Sequence, residues 1–173
     1  MPQTLELVAA ATPAEFQAAR GLIEEYAAHI GGLMGVDLCF QNFAAELEGL
    51  AGMYGPPTGR MLLAVRGDER LGCCALRRFD DGVCEMKRLY VRPGARGTQL
   101  GRRLAQGVID RARALGYRRM VLDTLQAMTA AQTLYRSLGF RETQPYYFNP
   151  LAGVTYMELD LAPGTPLPGA LSL

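Results

Sequence analysis

Residues 85–104, Glu85-Met-Lys-Arg-Leu-Tyr-Val-Arg-Pro-Gly-Ala-Arg-Gly-Thr-Gln-Leu-Gly-Arg-Arg-Leu104, decide how the rest of the chain is read. Met86 to Val91 is an apolar, strand-like run that stops at Pro93-Gly94. A basic loop, Arg96-Gly97-Thr98-Gln99-Leu100-Gly101, then passes straight into a helical pattern. In that order a backbone makes an anion site. The first amides of a helix have no intrahelical acceptor, and glycine lets the main chain approach a ligand. One exposed helix-end interaction contributes only about 0.3–1 kcal/mol, so holding a pyrophosphate takes several amides together with Arg96 and Arg102. The Cβ of Gln99 is tolerable if its backbone stays near helical angles, and its amide could add a donor. Glu85, on the strand just upstream, sets a carboxylate beside this phosphate cradle.

Working outward, residues 5–8 read as a short strand. Thr12-Pro13-Ala14-Glu15 is a capping box with proline at the first helical position. Phe16, Ala19, Ile23, Tyr26, Ala27 and Ile30 recur with helical period. Gly31-Gly32 and Gly35 are expected to break that helix and open a loop to Asp37. A second helix is expected over residues 41–52, with Phe43, Leu47 and Leu50 on one side, ended by Tyr54-Gly-Pro-Pro-Thr-Gly59. Strands at 61–65, 71–79 and 83–91 are joined by Gly67-Asp68 and Asp80-Asp81-Gly82, turns that suit antiparallel hairpins. Leu100, Leu104, Val108, Ala112 and Leu115 mark a long amphipathic helix over 99–115 that closes at Gly116. A strand at 120–123, a helix carrying Ala131, Leu134 and Leu138 that stops at Gly139, and strands at 140–148 and 154–161 complete the order. The Pro/Gly-rich tail 162–173 is expected to be loosely ordered, which leaves residues 1–161 as one domain.

The 173 residues suffice for a single core without disulfides or metals. A net charge of +1 gives no electrostatic footprint for nucleic acid or an anionic membrane. Of the 18 basic residues only Lys87 is a lysine. No run approaches the roughly 18 apolar residues of a membrane span, and the N-terminus lacks the charged and apolar regions of a secretory leader. Cys39, Cys73, Cys74 and Cys84 show no metal-ligand spacing and His29 is the sole histidine, so no metal is expected. Unpaired thiols acting as small core residues suit a reducing cytoplasm.

Together these motifs resemble the GCN5-related N-acetyltransferases (GNAT). Arg96, Gly97 and Gly101 fit that family's loop, Arg/Gln-x-x-Gly-x-Gly/Ala, with Gln99 where a central glycine usually stands. Val91-x-Pro93 before the loop and Leu134-Tyr135-x-x-x-Gly139-Phe140 after it fit as well, so the resemblance spans residues 60–160. It implies an α/β (α+β) fold: a mixed, mostly antiparallel central sheet of about seven strands flanked by about four helices. The strand before the loop and the strand after the long helix would splay apart. The pantetheine arm of acetyl-CoA would pair with the backbone of Leu89, Tyr90 and Val91. Arg96, Gly97, Thr98, Gln99, Leu100 and Gly101 would cradle its pyrophosphate, and Arg102 is a further candidate or a solvated helix residue. An asparagine often found seven residues before the tyrosine is Met128 here, so any contact made by that side chain is missing.

The same resemblance implies direct transfer of an acetyl group from acetyl-CoA to a primary amine of a small molecule or peptide. Freeing an amine of pKa near 10 from its proton at neutral pH costs about 4 kcal/mol, and Glu85 stands where the family's glutamate base stands. The alternative is an ordinary strand acid paired with Lys87, two residues on along the same face. Tyr135 matches the family's tyrosine that serves the leaving thiolate. Its offset from Leu134 and Leu138 is expected to turn it from the main apolar face, the alternative being simple packing. The acceptor is expected between the first two helices and the loop before the last strand. Tyr26, Tyr54, Tyr146, Tyr147 and Asn149 are the candidates there, each open to a packing role. Glu24, Glu25, Asp37 and Glu46 could attract a cationic amine, the alternative being an ordinary solvated helix face. No cysteine has a histidine partner suggested by the sequence, so no acyl-enzyme is implied. Relatives often dimerise, which leaves a homodimer open. The rival is a catalytically silent acyl-CoA-binding regulatory module. A dinucleotide oxidoreductase is disfavoured because the loop lacks the first and middle glycines of G-x-G-x-x-G.

Overall fold

The computed structural model describes residues 3–34 and 42–161. Strands β1 (Leu5–Ala9), β2 (Arg60–Arg66), β3 (Glu69–Asp80), β4 (Val83–Val91), β5 (Arg119–Leu125), β6 (Arg141–Glu142) and β7 (Val154–Asp160) form one sheet in the order β1-β2-β3-β4-β5-β7-β6. Every neighbouring pair is antiparallel except β4 and β5, which run parallel. Among the described residues the helices are α1 (Pro13–Met34), α2 (Phe43–Glu48), α3 (Leu50–Tyr54), α4 (Leu100–Ala114) and α5 (Thr129–Ser137). The mixed, mostly antiparallel sheet is the expected one, with one helix more. The second expected helix is two, divided at Gly49, whose amide turns back to the carbonyls of Ala45 and Glu46.

Local signals account for most element ends. The capping box forms as read: Glu15 N–H donates to Thr12 Oγ1 at 3.3 Å, and Glu15 Oε2 accepts from the Ala11 and Thr12 amides at 2.7 and 2.9 Å. Gly116 (φ 84°) closes α4, with the Tyr117 amide donating to Ala112 O at 3.1 Å. Two expectations fail. Gly31 and Gly32 do not break α1, which continues to Met34. Glycine lowers helix stability by only about 1 kcal/mol relative to alanine, and packing of Leu22, Ile23 and Ile30, all buried, outweighs that. The expected strand at 140–148 pairs only at β6. Pro145 has no amide to give a ladder, and the chain runs as a loop to Gly153. The loop expected from Gly35 to Asp37 and the tail 162–173 lie outside the described residues.

The sheet is covered on both faces, so alternate residues of the central strands feed two cores. Leu62, Ala64, Cys74, Leu76, Cys84, Met86, Met120 and Leu122 face α4 and α5, meeting Leu104, Val108 and Ile109. Met61, Leu63, Cys73 and Ala75 face α1 and α3, meeting Ala19, Leu22, Ile23 and Tyr54. A buried leucine or isoleucine of this kind contributes about 1.5–3 kcal/mol. Gly72 is required by the close approach of β4, since a Cβ there would meet Tyr90 O at 2.5 Å.

One irregularity positions the site. Cys73 pairs with Tyr90 and Ala75 with Lys87, so β4 uses one residue more than β3 over this interval. The extra residue falls at Arg88, whose φ is 59°. Such a bulge bends its strand. Pairing between β4 and β5 covers only Val83–Glu85 against Arg119–Val121, and beyond it the two strands part.

Candidate active site

The parting of β4 and β5 opens a cavity lined by Tyr26, Lys87, Leu89, Asp123, Met128 and Tyr135, among others. Tyr26, Leu89, Met128 and Ala131 also line an outer groove with Tyr90, Val91, Arg96 and Gly101. Lys87 joins the cavity to a second hollow on the α1 face, with Arg77, Phe79, Glu85, Tyr147 and Phe148. The cavity where the strands divide is thus bordered by a groove from the start of α4 and by a hollow on the sheet face that carries Glu85.

The groove is built by the loop singled out in the sequence. Gly97 takes φ 78° with nothing within 4 Å of a would-be Cβ. The condition of near-helical angles is not met at Gln99: it is left-handed (φ 61°, ψ 14°), the conformation a glycine would hold there at little cost. The first bond into α4 is Arg103 N–H to Gln99 O at 3.0 Å, so the amides of Leu100, Gly101 and Arg102 have no helical acceptor. Arg96 donates to Val91 O at 3.1 Å, which ties the loop to β4 and occupies one of the backbone groups expected to meet a ligand. Thr98 Oγ donates to Ala95 O at 2.6 Å. Arg102 reaches away from the loop to Ser137 Oγ at 2.7 Å.

Glu85 is 1% exposed, yet it lines the α1-face hollow. Its ion pair is with Arg77 of β3, not Lys87: Arg77 Nε and a terminal nitrogen both lie 2.8 Å from Oε1. Tyr146 donates its hydroxyl to Oε2 at 2.6 Å. Burial, then the Glu85 charge, raises the Tyr146 phenol far above its usual value, so it stays protonated. Tyr135 is buried against Phe140 in an edge-to-face contact, ring centres 5.7 Å apart. It belongs to the α4–α5 core, contrary to the expectation that it turns away from the apolar face. No described residue bonds its hydroxyl. Because no fully buried polar side-chain atom lacks a partner among the described residues, that hydroxyl reaches the cavity surface. Burial raises its pKa as well, so it is a donor throughout the neutral range.

Of the acceptor candidates, Tyr26 and Asn149 line the cavity and Tyr146 holds Glu85. Tyr54 does not reach any of these hollows: it is fully buried and donates to Glu46 Oε1 at 2.7 Å. The acids weighed for attracting an amine are engaged. Glu24 pairs with Arg20, Glu25 with Arg92, and Glu46 with Arg88 at 2.6 Å; Asp37 lies outside the described residues. Sequence reasoning missed Asp123, which accepts hydrogen bonds from the Tyr147 hydroxyl and from Asn149 Nδ2, the latter at 2.9 Å. Its only signal was an acid closing the apolar run 120–122. Lys87 was weighed only as a partner for Glu85. Its ammonium pKa is lowered, first by burial, and among the described residues it has no hydrogen bond or ion pair.

The sequence model described as the acetyltransferase (GNAT) family matches residues 22–140. An uncharacterised N-acetyltransferase of Schizosaccharomyces pombe is 43% identical over 165 residues, covering 93% of this chain and 98% of the relative. A GNAT-family acetyltransferase structure from Staphylococcus aureus superposes with a TM-score of 0.74 at 21% identity, covering 91% of this chain and 99% of that one. An acetyltransferase from Salmonella typhimurium, solved with its cofactor acetyl-CoA, gives 0.64 at 24% identity, covering 96% and 99%. At such identities the likeness to these structures is one of fold.

Proposed function

The chain belongs to the acetyltransferase (GNAT) family, and on that premise we propose that it moves the acetyl group of acetyl-CoA directly to a primary amine of a small molecule or peptide. The observation that carries this reading is a cavity lined by Leu89, Lys87 and Tyr135 that shares Leu89 with the groove from the α4 loop and Lys87 with the hollow on the α1 face. A two-substrate transfer without an acyl-enzyme needs such a shared cavity. The donor's pyrophosphate would take the free amides of Leu100 to Arg102 with Arg96. Its pantetheine arm would lie along the edge of β4 that β5 leaves unpaired, at Leu89, Tyr90 and Val91.

The amine must lose a proton before it attacks the thioester carbon, and Glu85 is the proposed base. Because its oxygens are held by Arg77 and Tyr146, the proton would reach it through the Tyr146 phenol or a water. Attack forms the new C–N bond and expels the coenzyme thiolate. Tyr135 would donate to that sulfur, and its raised pKa favours a hydrogen bond over full proton release. A reducing cytoplasm is the proposed setting, supported by Cys73, Cys74 and Cys84, which are buried free thiols whose pKa values burial raises, to about 12 for Cys73 and Cys84. No helix of the described residues is long and apolar enough to cross a membrane.

The full engagement of Glu85 also suits the silent acyl-CoA-binding module, so the test separates the two. Isothermal titration with acetyl-CoA, desulfo-coenzyme A and NAD is expected to show binding of both coenzyme A species and none of NAD. Thiol release on adding amines then marks an enzyme. Tight acetyl-CoA binding with no release across a broad amine panel marks the module, and no binding of either coenzyme A species defeats both.

A further inference from the structure

Resting on the transfer reading above, we infer that the amine acceptor also carries a carboxylate, and that Lys87 is the side chain that binds it. The half-buried and buried arginines of the neighbourhood are each spoken for: Arg77 by Glu85, Arg88 by Glu46 and Arg92 by Glu25. Lys87, the only lysine of the chain, projects on the same sheet face as Glu85 and has no ion pair or hydrogen bond among the described residues. It lines both the cavity where the strands part and the α1-face hollow, and so stands between them.

Charge accounting points the same way. In the α1-face hollow Arg77 and Glu85 cancel, which leaves Lys87 as the surplus positive charge among the described lining residues. Glu85 and, in the cavity wall, Asp123 act on the Lys87 ammonium only through space, and burial outweighs them and lowers its pKa. An incoming carboxylate would supply the direct contact that these acids do not, since Glu85 holds Arg77 and Tyr146 and Asp123 holds Tyr147 and Asn149. One surplus charge matches a carboxylate and leaves a phosphate dianion half uncompensated. A polyamine or a lysine side chain would instead bring like charge to Lys87. Since Lys87 also lines the reaction cavity, the carboxylate and the reacting amine are held a few bonds apart, as in a small amino acid.

Product-like probes test this without depending on turnover. N-acetylglycine, N-acetyl-β-alanine and N-acetyl-4-aminobutyrate would be titrated into the protein with coenzyme A present, each against its uncharged primary amide and against N-acetyl-aminoethyl phosphate. At least one acid is expected to bind about 10- to 100-fold tighter than its amide, the range of a charge-assisted hydrogen bond. Lys87→Met should erase the preference and Lys87→Arg should keep most of it. Circular dichroism melting checks that the methionine variant folds, as the removal of an unpaired buried charge leads one to expect. No acid preferred over its amide, a preference that survives Lys87→Met, or a phosphate preferred over every acid would each overturn the inference. A preserved acid preference with no thiol release from any amine would sink the transfer chemistry while leaving the anion site standing.

Discussion

Glu46 and Glu85 are the buried carboxylates of the described chain, 4% and 1% exposed, and each grips an arginine through two short contacts. Their settings differ. Glu46 pairs with Arg88 at 2.8 and 2.6 Å, takes the Tyr54 hydroxyl as well, and lines none of the hollows around the site. Phe43 and Tyr26 flank the Arg88 guanidinium at 5.4 and 6.0 Å. The pair ties α2 to the bulge that parts β4 from β5. Glu85 holds Arg77, whose side chain is 31% exposed, and stands in the wall of the α1-face hollow. A buried ion pair by itself therefore says little about chemistry. Access from a hollow is what sets the proposed base, Glu85, apart from the anchor, Glu46.

The contrast predicts opposite phenotypes for the same substitution. Glu46→Gln strips a buried arginine of its counter-charge and should cost about 3–5 kcal/mol, read from urea unfolding midpoints. The double change Glu46→Leu with Arg88→Met should recover much of that, since an apolar pair avoids the desolvation of two charges. Acid gives a second reading. Burial pushes the Glu46 carboxyl up, but the hydrogen bond and charge of Arg88 outweigh it and hold its pKa below 4.5. A depressed carboxylate contributes its stability in full above the unfolded value and loses it as pH falls through the folded one. The stability gap between wild type and Glu46→Gln should thus narrow below about pH 4. A gap that stays constant into acid would show that the charge of Glu46 is not what anchors Arg88.

Glu85→Gln should do the reverse. Its arginine can turn to solvent, where ion pairs contribute little, so stability should fall by less than for Glu46→Gln. Turnover should drop about 100-fold, the lower end for loss of a general base because a water can stand in. If Glu85→Gln matches Glu46→Gln in stability and spares turnover, both carboxylates are anchors and the comparison collapses.

How much of this contrast could be read from the chain follows from sequence distance. Strands with alternating apolar residues, the capping box at Thr12, the Gly116 cap and the loop 96–101 are local patterns, and the structure forms them nearly where the residues indicate. The bulge was illegible. Nothing between Met86 and Val91 marks Arg88 as left-handed, because the partner that holds it, Glu46, is 42 residues away. Tyr146 reaches Glu85 across 61 residues, by way of a segment read as a strand that Pro145 turns into a loop. The Arg77 partner was also missed, although hairpin register sets it directly opposite Glu85. Side-chain pairing inside a hairpin is settled by turn length, and one residue of slip moves every partner.

A smaller effect sharpens the catalytic side. Tyr135→Phe keeps the edge-to-face contact with Phe140 and removes only the hydroxyl. Stability should change little and turnover should fall about 10- to 50-fold, the worth of one hydrogen bond to a developing thiolate. The loss should appear in kcat with the KM for acetyl-CoA nearly unchanged, because the bond to sulfur strengthens only as charge develops. An equal rise in KM would mean that the hydroxyl serves binding of the donor, and stop-flow of thiol release under saturating acetyl-CoA distinguishes the two.

The smallest effect concerns two strained residues that flank the groove. Arg88 (φ 59°) and Gln99 (φ 61°) both hold left-handed backbone angles without being glycine, at about 1–2 kcal/mol each. Arg88 is kept there by its ion pair with Glu46, so Arg88→Gly would relieve the strain but strand the carboxylate, and should be strongly destabilising. Gln99 has no such anchor: no side-chain bond caps the helix it precedes. Gln99→Gly should therefore stabilise the protein by about 0.5–1 kcal/mol, part of the relieved strain being offset by the extra freedom glycine has when unfolded. Thermal melting would read this as a rise of a few degrees at most. If Gln99→Gly lowers the melting temperature, the side chain of Gln99 contributes to the loop despite lacking a cap bond, and titration of acetyl-CoA into the variant would show whether that contribution is to the donor. Anchored strain at Arg88 and unanchored strain at Gln99 would then no longer differ in kind.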